Sequence, residues 1–420
     1  MLIQRNIISQ IEDHLERPEI TLITGARQIG KTTILKMLQA KLHREGRQTL
    51  FFNLDFEKDF RYVESQETFL SKIKLEAGND PVFVFIDEIQ RKENAGLFLK
   101  GIYDLEAPQL KMIVSGSGSL ELKENIHESL VGRKRIFEIL PVNFEEFVNY
   151  RTEYKYQDNL KAYFDTEQKT MLNFLNEYLM YGGYPAIVTE NKKNEKVLIM
   201  NEIFSSYVQK DLSYLLNLDR PENFVKLIEW LSHTAGTRIN YSTCAGDTAL
   251  SVPTLKKYLW YAEHTFIVKS LTPFYKNKRK EISKSPVVYF FDIGMKNFAF
   301  GVFGDEIPQP LSGQIFENFI FSILYERIRN TPFHLHYWRT TDMAEVDFVI
   351  KKGSAIIPIE VKYAHLTKNT PARSFMSFID KYQPPIAYII NLTGRFSKKV
   401  NKTQIHFIPF FDLLYKDFTA

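Results

Sequence analysis

The chain has 420 residues, 44% of them hydrophobic and 14% aromatic, which is too long for a single core and too apolar for a disordered polymer. Lys plus Arg number 54 against 50 Asp plus Glu, and a net charge of +4 excludes a polycationic nucleic-acid coat while allowing local basic patches. The single cysteine, Cys244, excludes an intramolecular disulfide and a cysteine-rich zinc module, so a reducing compartment, the cytoplasm, is expected.

The opening "MLIQRNIISQIEDHLERPE" is an amphipathic helical pattern without a secretory signal's apolar core. The longest apolar runs, such as "VFVFI" and "AIIPI", fall far short of the about 20 residues a membrane span needs, so no membrane partner is expected. From 20 to 140 the short runs "ITLIT", "TLFFNL", "VFVFI" and "LKMIVS" alternate with helical stretches, the pattern of a parallel α/β sheet.

After the first of these strands comes "GARQIGKTT": Gly25, Ala26, Arg27, Gln28, Ile29, Gly30, Lys31, Thr32 and Thr33. It satisfies G-x-x-x-x-G-K-[ST] and opens an amphipathic helix, as a phosphate-cradling loop requires. Glycines let backbone N–H groups wrap the phosphates, Lys31 reaches the β/γ oxygens and Thr32 ligates Mg²⁺. ATP and Mg²⁺ are the expected cofactors. The strand in "VFVFIDEIQ" then delivers Asp87, to hold the metal through water, and Glu88, to polarise an attacking water.

"LKMIVSGSGSLEL" ends a further strand in Ser115 and Ser117, either a γ-phosphate sensor or a plain turn. "LVGRKRIFEILPVNF" places Arg133 and Arg135 before the last strand of this domain; each is either an arginine finger, in cis or across the boundary of a homo-oligomer, or part of a solvated turn. From Phe144 to about Asn217 the pattern is mostly helical, interrupted by the turn "YGGYP" at 181–185.

Residues 222–275 carry one helix and then the spacing of helix, tight turn, helix, the last opened by Ser251 or Val252 with Leu255, Leu259 and Ala262 inward. The run 269–284 holds six basic residues and one acid where a β-wing would sit; it is read either as a DNA contact or as a loop of a packing module. From about 312 the order is helix, three strands, helix, strand.

Two of those strands form "EVDFVIKKGSAIIPIEVK". Alternation places Val346, Phe348 and Ile350 on one face of the first, and Ile357, Ile359 and Val361 on one face of the second. A hairpin near Gly353 sets Asp347 across from Pro358 or Glu360, so Asp347, Glu360 and Lys362 converge, a cluster able to hold a hard metal ion.

Together, "GARQIGKTT", "FIDEIQ", "SGSGSL", "LVGRKRIFEILPVNFEEF", "YGGYP" and "YWRTTDMAEVDFVI" with "IPIEVK" resemble a large family of prokaryotic AAA-type ATP-binding proteins. The resemblance implies an α/β P-loop ATPase core over 1–142, a helical lid or connector over 143–220, a winged-helix-like segment over 221–300 and a PD-(D/E)xK nuclease-like domain over 301–420. It adds Glu317, an acid in an otherwise apolar helix, as a fourth member beside Asp347, Glu360 and Lys362; Val346 stands where that pattern has proline. Two functions follow as expectations. One is an ATPase gating a nuclease on DNA or RNA, and the other a nucleotide-gated binding switch with an inert nuclease-like domain.

Overall fold

The computed structural model describes residues 1–107, 109–117, 129–207, 221–275, 285–368, 370–416 and 418. Strands β1 (Ile20–Gly25), β2 (Gln48–Asn53), β3 (Val82–Asp87), β4 (Leu110–Ser115) and β5 (Lys134–Ile139) form a wholly parallel sheet in the order β2-β3-β4-β1-β5. The inner strands β1, β3 and β4 are buried along their length, which is why they read as continuous apolar runs rather than alternating ones. All five strands point the same way, so their C-terminal ends make one rim, where ligands of such sheets bind. On that rim lie the loop after β1, Asp87 at the end of β3 and Ser115 at the end of β4.

The helix Lys31–Arg44 buries Ile34, Leu35, Leu38 and Leu42 against this sheet, each worth about 2 kcal/mol of transfer free energy. Lys111, the one charge within β4, is buried too. Its ammonium donates to the carbonyls of His14, Arg17 and Glu19 at 3.0, 2.8 and 2.5 Å, satisfying the C-terminal end of the helix Ile7–Leu15.

In the middle of the chain the helices Pro221–Thr234, Tyr241–Thr248 and Val252–His264 precede an antiparallel pair, β6 (Val268–Leu271) and β7 (Val287–Phe290). Ser251 caps the third helix as expected, its Oγ accepting the Thr254 N–H, and Leu255, Leu259 and Ala262 are buried. The basic run falls largely on residues 276–284, outside the described residues.

The C-terminal sheet comprises β8 (His334–Arg339), β9 (Glu345–Lys352), β10 (Ala355–Val361), β11 (Ile386–Asn391), β12 (Phe396–Val400) and β13 (Thr403–Pro409), in the order β12-β13-β11-β10-β9-β8. β11 runs parallel to β10 and to β13, and the other pairings are antiparallel. The helix Gln309–Ile328 packs on one face through Phe316, Phe319 and Ile320, and Arg373–Tyr382 on the other through Phe375 and Phe378.

The β9–β10 hairpin closes with Lys352 opposite Ala355, leaving Gly353 and Ser354 as a two-residue turn with Gly353 at φ +59°. Continuing the register from Phe348 opposite Ile359 sets Asp347 against Glu360, the closer of the two expected arrangements. Simple alternation along β9 fails, however. Against β8, His336 pairs with Val349 and Trp338 with Val346, so Tyr337 faces both Asp347 and Phe348, a β-bulge. Val346 therefore packs with Trp338 and Val349 on one face, while Phe348 and Ile350 pack on the other.

The hydrophobic cores do not follow the linear segments. Ile34 and Leu38 of the helix after the P-loop and Phe137 of β5 share a core with Phe224, Leu259 and Phe290. Phe144 and Tyr178, from the helical stretch after the sheet, share another with Phe319 and Phe410. Among the described residues no helix is long and apolar enough to cross a membrane.

Candidate functional site

The loop after β1 is shaped by two special backbones. Gly25 (φ +155°) lies against β5, where a Cβ would stand 2.5 Å from the Ile139 carbonyl oxygen. Gly30 takes φ +97°, a left-handed conformation that opens the next helix without a side-chain cap. The Lys31 side chain folds back over the loop, donating to the Ala26 and Gly25 carbonyls at 2.7 and 3.2 Å.

β4 intervenes between β1 and β3, so the P-loop strand and the Asp87 strand stand roughly 10 Å apart. Thr32 closes that gap, its Oγ1 donating to Asp87 Oδ2 at 2.7 Å. Ser115, at the end of the intervening strand, donates its hydroxyl to Asp87 Oδ1. The fully buried Asp87 carboxylate is thus fixed from both sides. Glu88 follows in the left-handed region at φ +59°, and burial raises its carboxyl above the ordinary value against the opposing pull of Lys31. Gln90 donates to Glu88 Oε2, and its own Oε1 accepts the Ser117 N–H at 3.2 Å. These oxygens fit a hard cation, and a lysine amid loop amides fits phosphate.

The structure separates Ser115, which donates to Asp87, from Ser117, which contributes its backbone to Gln90. It overturns the arginine finger in cis. Arg135 pairs with Thr21 at the start of β5, four residues or roughly 13 Å before the rim that carries the P-loop. Arg133 precedes it and is held by Asp104 at 2.6 and 3.3 Å. A parallel strand presents its first residues to the opposite end of the sheet, which the motif spacing alone could not reveal.

Over the P-loop lies the turn "YGGYP". A Cβ on Gly30 would stand 3.8 Å from Pro185, and Gln28 Nε2 donates to Ser206 Oγ at 3.3 Å. Gly183 receives the Val142 N–H on its carbonyl (2.8 Å) and donates its own N–H to Asp292 Oδ2 (2.7 Å). Burial pushes the Asp292 carboxyl up to about 6 even though Gly183, Met295 and Gly294 donate to it. Arg5 ties the same junction, donating to Glu146, to the Leu140 carbonyl at 2.6 Å and to the Ile29 carbonyl at 3.4 Å.

The second cluster lies in the C-terminal sheet. Asp347 Oδ2 accepts the Val361 N–H at 2.7 Å, and Lys362 Nζ donates to Glu360 Oε1 at 2.7 Å. Glu360 is only 5% exposed and its Oε2 is buried without a hydrogen-bond partner. Glu317 reaches the cluster from the helix and accepts the Tyr289 hydroxyl at 2.6 Å. Burial, reinforced by Glu360 and Glu317, holds Asp347 well above its ordinary range, and burial raises Glu317 to about 7. The carboxylates feel one another's charge, yet among the described residues no three His, Cys, Asp or Glu side chains are gathered closely enough to hold a metal ion.

Four residues escaped the motif reading. Gln90 stands inside a quoted motif, but its partners are a neighbouring acid and a different strand. Tyr289 and Asp292 sit in "VVYFFDIG", whose only local signal is an aspartate placed to cap a helix, and Asp292 does accept the Met295 N–H. Arg5 carries no local signal.

Residues 17–148 match the family model of an AAA domain, residues 172–306 one domain of unknown function, and residues 312–412 another. The N-terminal part is therefore an AAA-type, P-loop NTPase-like domain with a parallel sheet. An uncharacterized protein of Methanocaldococcus jannaschii is 28% identical over 357 residues, spanning 81% of this chain and 74% of its own. One of Haemophilus influenzae is 23% identical over 431 residues, spanning 99% and 98%. Among solved structures, DnaA from Aquifex aeolicus bound to AMPPCP (13% identity, TM-score 0.29, 63% of this chain and 89% of that one) and RuvB of Thermotoga maritima (16%, 0.32, 67% and 95%) are similar too weakly to bear on the domain arrangement.

Proposed function

We propose that the chain is an ATPase that uses its nucleotide state to control the C-terminal carboxylate cluster, a nuclease-like site directed at DNA or RNA. The observation that carries the first half is the Thr32–Asp87–Ser115 arrangement beside a Lys31 already folded over its loop. Mg²⁺, when bound, supplies positive charge at the β/γ phosphates. Lys31 swings from the loop carbonyls to the phosphate oxygens, Thr32 and Asp87 hold the metal, and Glu88 takes the proton of the attacking water. Glu88 is parked on Gln90, so it must turn before it can act. A homo-oligomer would let Arg133 or Arg135 serve a neighbouring copy.

For the second half, Asp347, Glu360 and Glu317 offer oxygen ligands and Lys362 a cation for developing phosphorane charge. The order of three helices and a hairpin in the middle supports the winged-helix-like reading, and a mixed sheet with a helix on each face supports the nuclease-like one. The inert-switch reading has its own support, since Lys362 is engaged by Glu360 and no metal-binding trio is assembled among the described residues.

The test is ATP hydrolysis by the purified full chain with and without DNA or RNA, scoring nucleic-acid integrity under Mg²⁺ and Mn²⁺. Cleavage lost in Asp347→Ala, with ATP hydrolysis retained, supports the nuclease; hydrolysis with intact nucleic acid under every condition leaves the switch.

A further inference from the structure

One short segment runs between the two sites, touching the carboxylate cluster directly and the P-loop through the turn at 181–185. At its start the Tyr289 hydroxyl donates to Glu317 at 2.6 Å. Next, Phe290 exchanges two hydrogen bonds with the Asn318 side chain, N–H to Oδ1 and Nδ2 to carbonyl, both 2.8 Å, so β7 is bolted to the helix that carries Glu317. Two residues on, Asp292 accepts the N–H of Gly183, in the turn whose Pro185 would lie 3.8 Å from a Cβ on Gly30 of the P-loop. The turn has no slack, because a Cβ on Gly182 would stand 2.4 Å from the Gly294 nitrogen, and one on Gly183 2.2 Å from the Val142 carbonyl.

We propose that Tyr289 is a positioning residue of the carboxylate cluster, and that the segment 289–292 passes P-loop occupancy to it. The inference rests on reading the P-loop as a nucleotide site and the cluster as the site it controls. When phosphate draws Lys31 away from the Ala26 and Gly25 carbonyls, the loop under Pro185 rearranges, and Gly183 can shift only together with Asp292. Tyr289 then moves relative to Glu317.

A second observation marks this segment as able to adopt two arrangements. Lys296, one turn past Asp292 on the helix Asp292 caps, is fully buried, and its ammonium has no hydrogen-bond partner. It rests over the Phe300 ring at 5.4 Å and feels the charge of Glu317. A buried donor left unmade is costly, and a small rotation of this helix is a way to relieve it. Packed elements of this kind switch between discrete arrangements rather than flexing continuously.

Amide hydrogen exchange on the full chain tests this, with and without saturating AMPPNP·Mg²⁺, following peptides over 25–33, 285–292 and 313–321. In the wild type, nucleotide should protect 25–33 and change exchange at 285–292 and 313–321 by about fivefold or more. In Tyr289→Phe the change at 313–321 should vanish while that at 285–292 persists; a purely structural tyrosine would alter exchange equally with and without nucleotide. Asp292→Asn should lose both distal changes. Should Tyr289→Phe fail to fold, Pro185→Ala, at a half-buried surface position, should keep protection of 25–33 and lose the distal changes. Protection of 25–33 with no distal change in the wild type overturns the relay alone. Absence of protection at 25–33 overturns the nucleotide reading, and the relay with it.

Discussion

Glu88 and Asp87 are neighbours in sequence and opposites in environment: one is clamped by two hydroxyls, the other perched on a left-handed residue against a glutamine. That division predicts Glu88→Gln to retain ATP·Mg²⁺ binding in calorimetry while turnover falls by about 10²–10⁴-fold; near-normal turnover would move the base elsewhere. Lys31→Ala should abolish ATP binding by the same method, since it removes the positive charge that would meet the β/γ phosphates. Asp292 makes a prediction about pH. Its carboxyl is raised from 3.8 to about 6, so between those values the folded chain holds a proton that the unfolded chain has released. The stabilisation is full below about pH 4 and is lost as the pH rises through about 6, at up to about 1.4 kcal/mol per pH unit. Urea midpoints at pH 4.5 and 6.5 should diverge less in Asp292→Asn than in the wild type, and equal divergence would place the titration on another group.

At the level of elements, the hairpin and the P-loop depend on glycines for different reasons. Gly353 supplies a positive φ to a two-residue turn, so Gly353→Val should cost about 1–2 kcal/mol in urea unfolding. Gly25 supplies missing volume, and Gly25→Ala drives a methyl into the Ile139 carbonyl, so it should weaken both nucleotide binding and stability. Legibility in the sequence follows the same division. The P-loop and Asp87-Glu88 could be read because their meaning lies in adjacent residues and an apolar strand. The bulge at Asp347 and Phe348 could not, because it is a relation to Tyr337 on another strand. β12 and β13 were missed: "FSKKV" is an edge strand with few apolar residues, and "TQIHFIP" buries every second residue under a weak alternation. The cis role for Arg133 and Arg135 failed for a third reason, since strand direction decides which end of a sheet a residue serves.

Across the whole molecule, the sharing of cores sets what can stand alone. Residues 1–142 contribute Ile34, Leu38 and Phe137 to a core completed by Phe224, Leu259 and Phe290. A fragment ending at residue 142 would expose that face and lose the Ser206 contact with Gln28 of the P-loop. It should unfold at lower denaturant, without the cooperative transition of the full chain in circular dichroism, and bind ATP more weakly. A fragment as stable as the full chain would mean that the shared core is only a contact between independent units.

Ile3 packs in the same cluster as Phe319 and Phe410. That cluster is complete only once Phe410 has been made, roughly 20–80 s after Ile3 at ordinary rates of synthesis. Arg5 can meet Glu146 and the Leu140 and Ile29 carbonyls well before then, so the opening segment is seated on the first sheet while its neighbours in the second core still lack cover. A ribosome-stalled chain that ends before Phe410 should be cut by protease near Phe319, which lacks its ring partner, while Arg5 stays protected on Glu146.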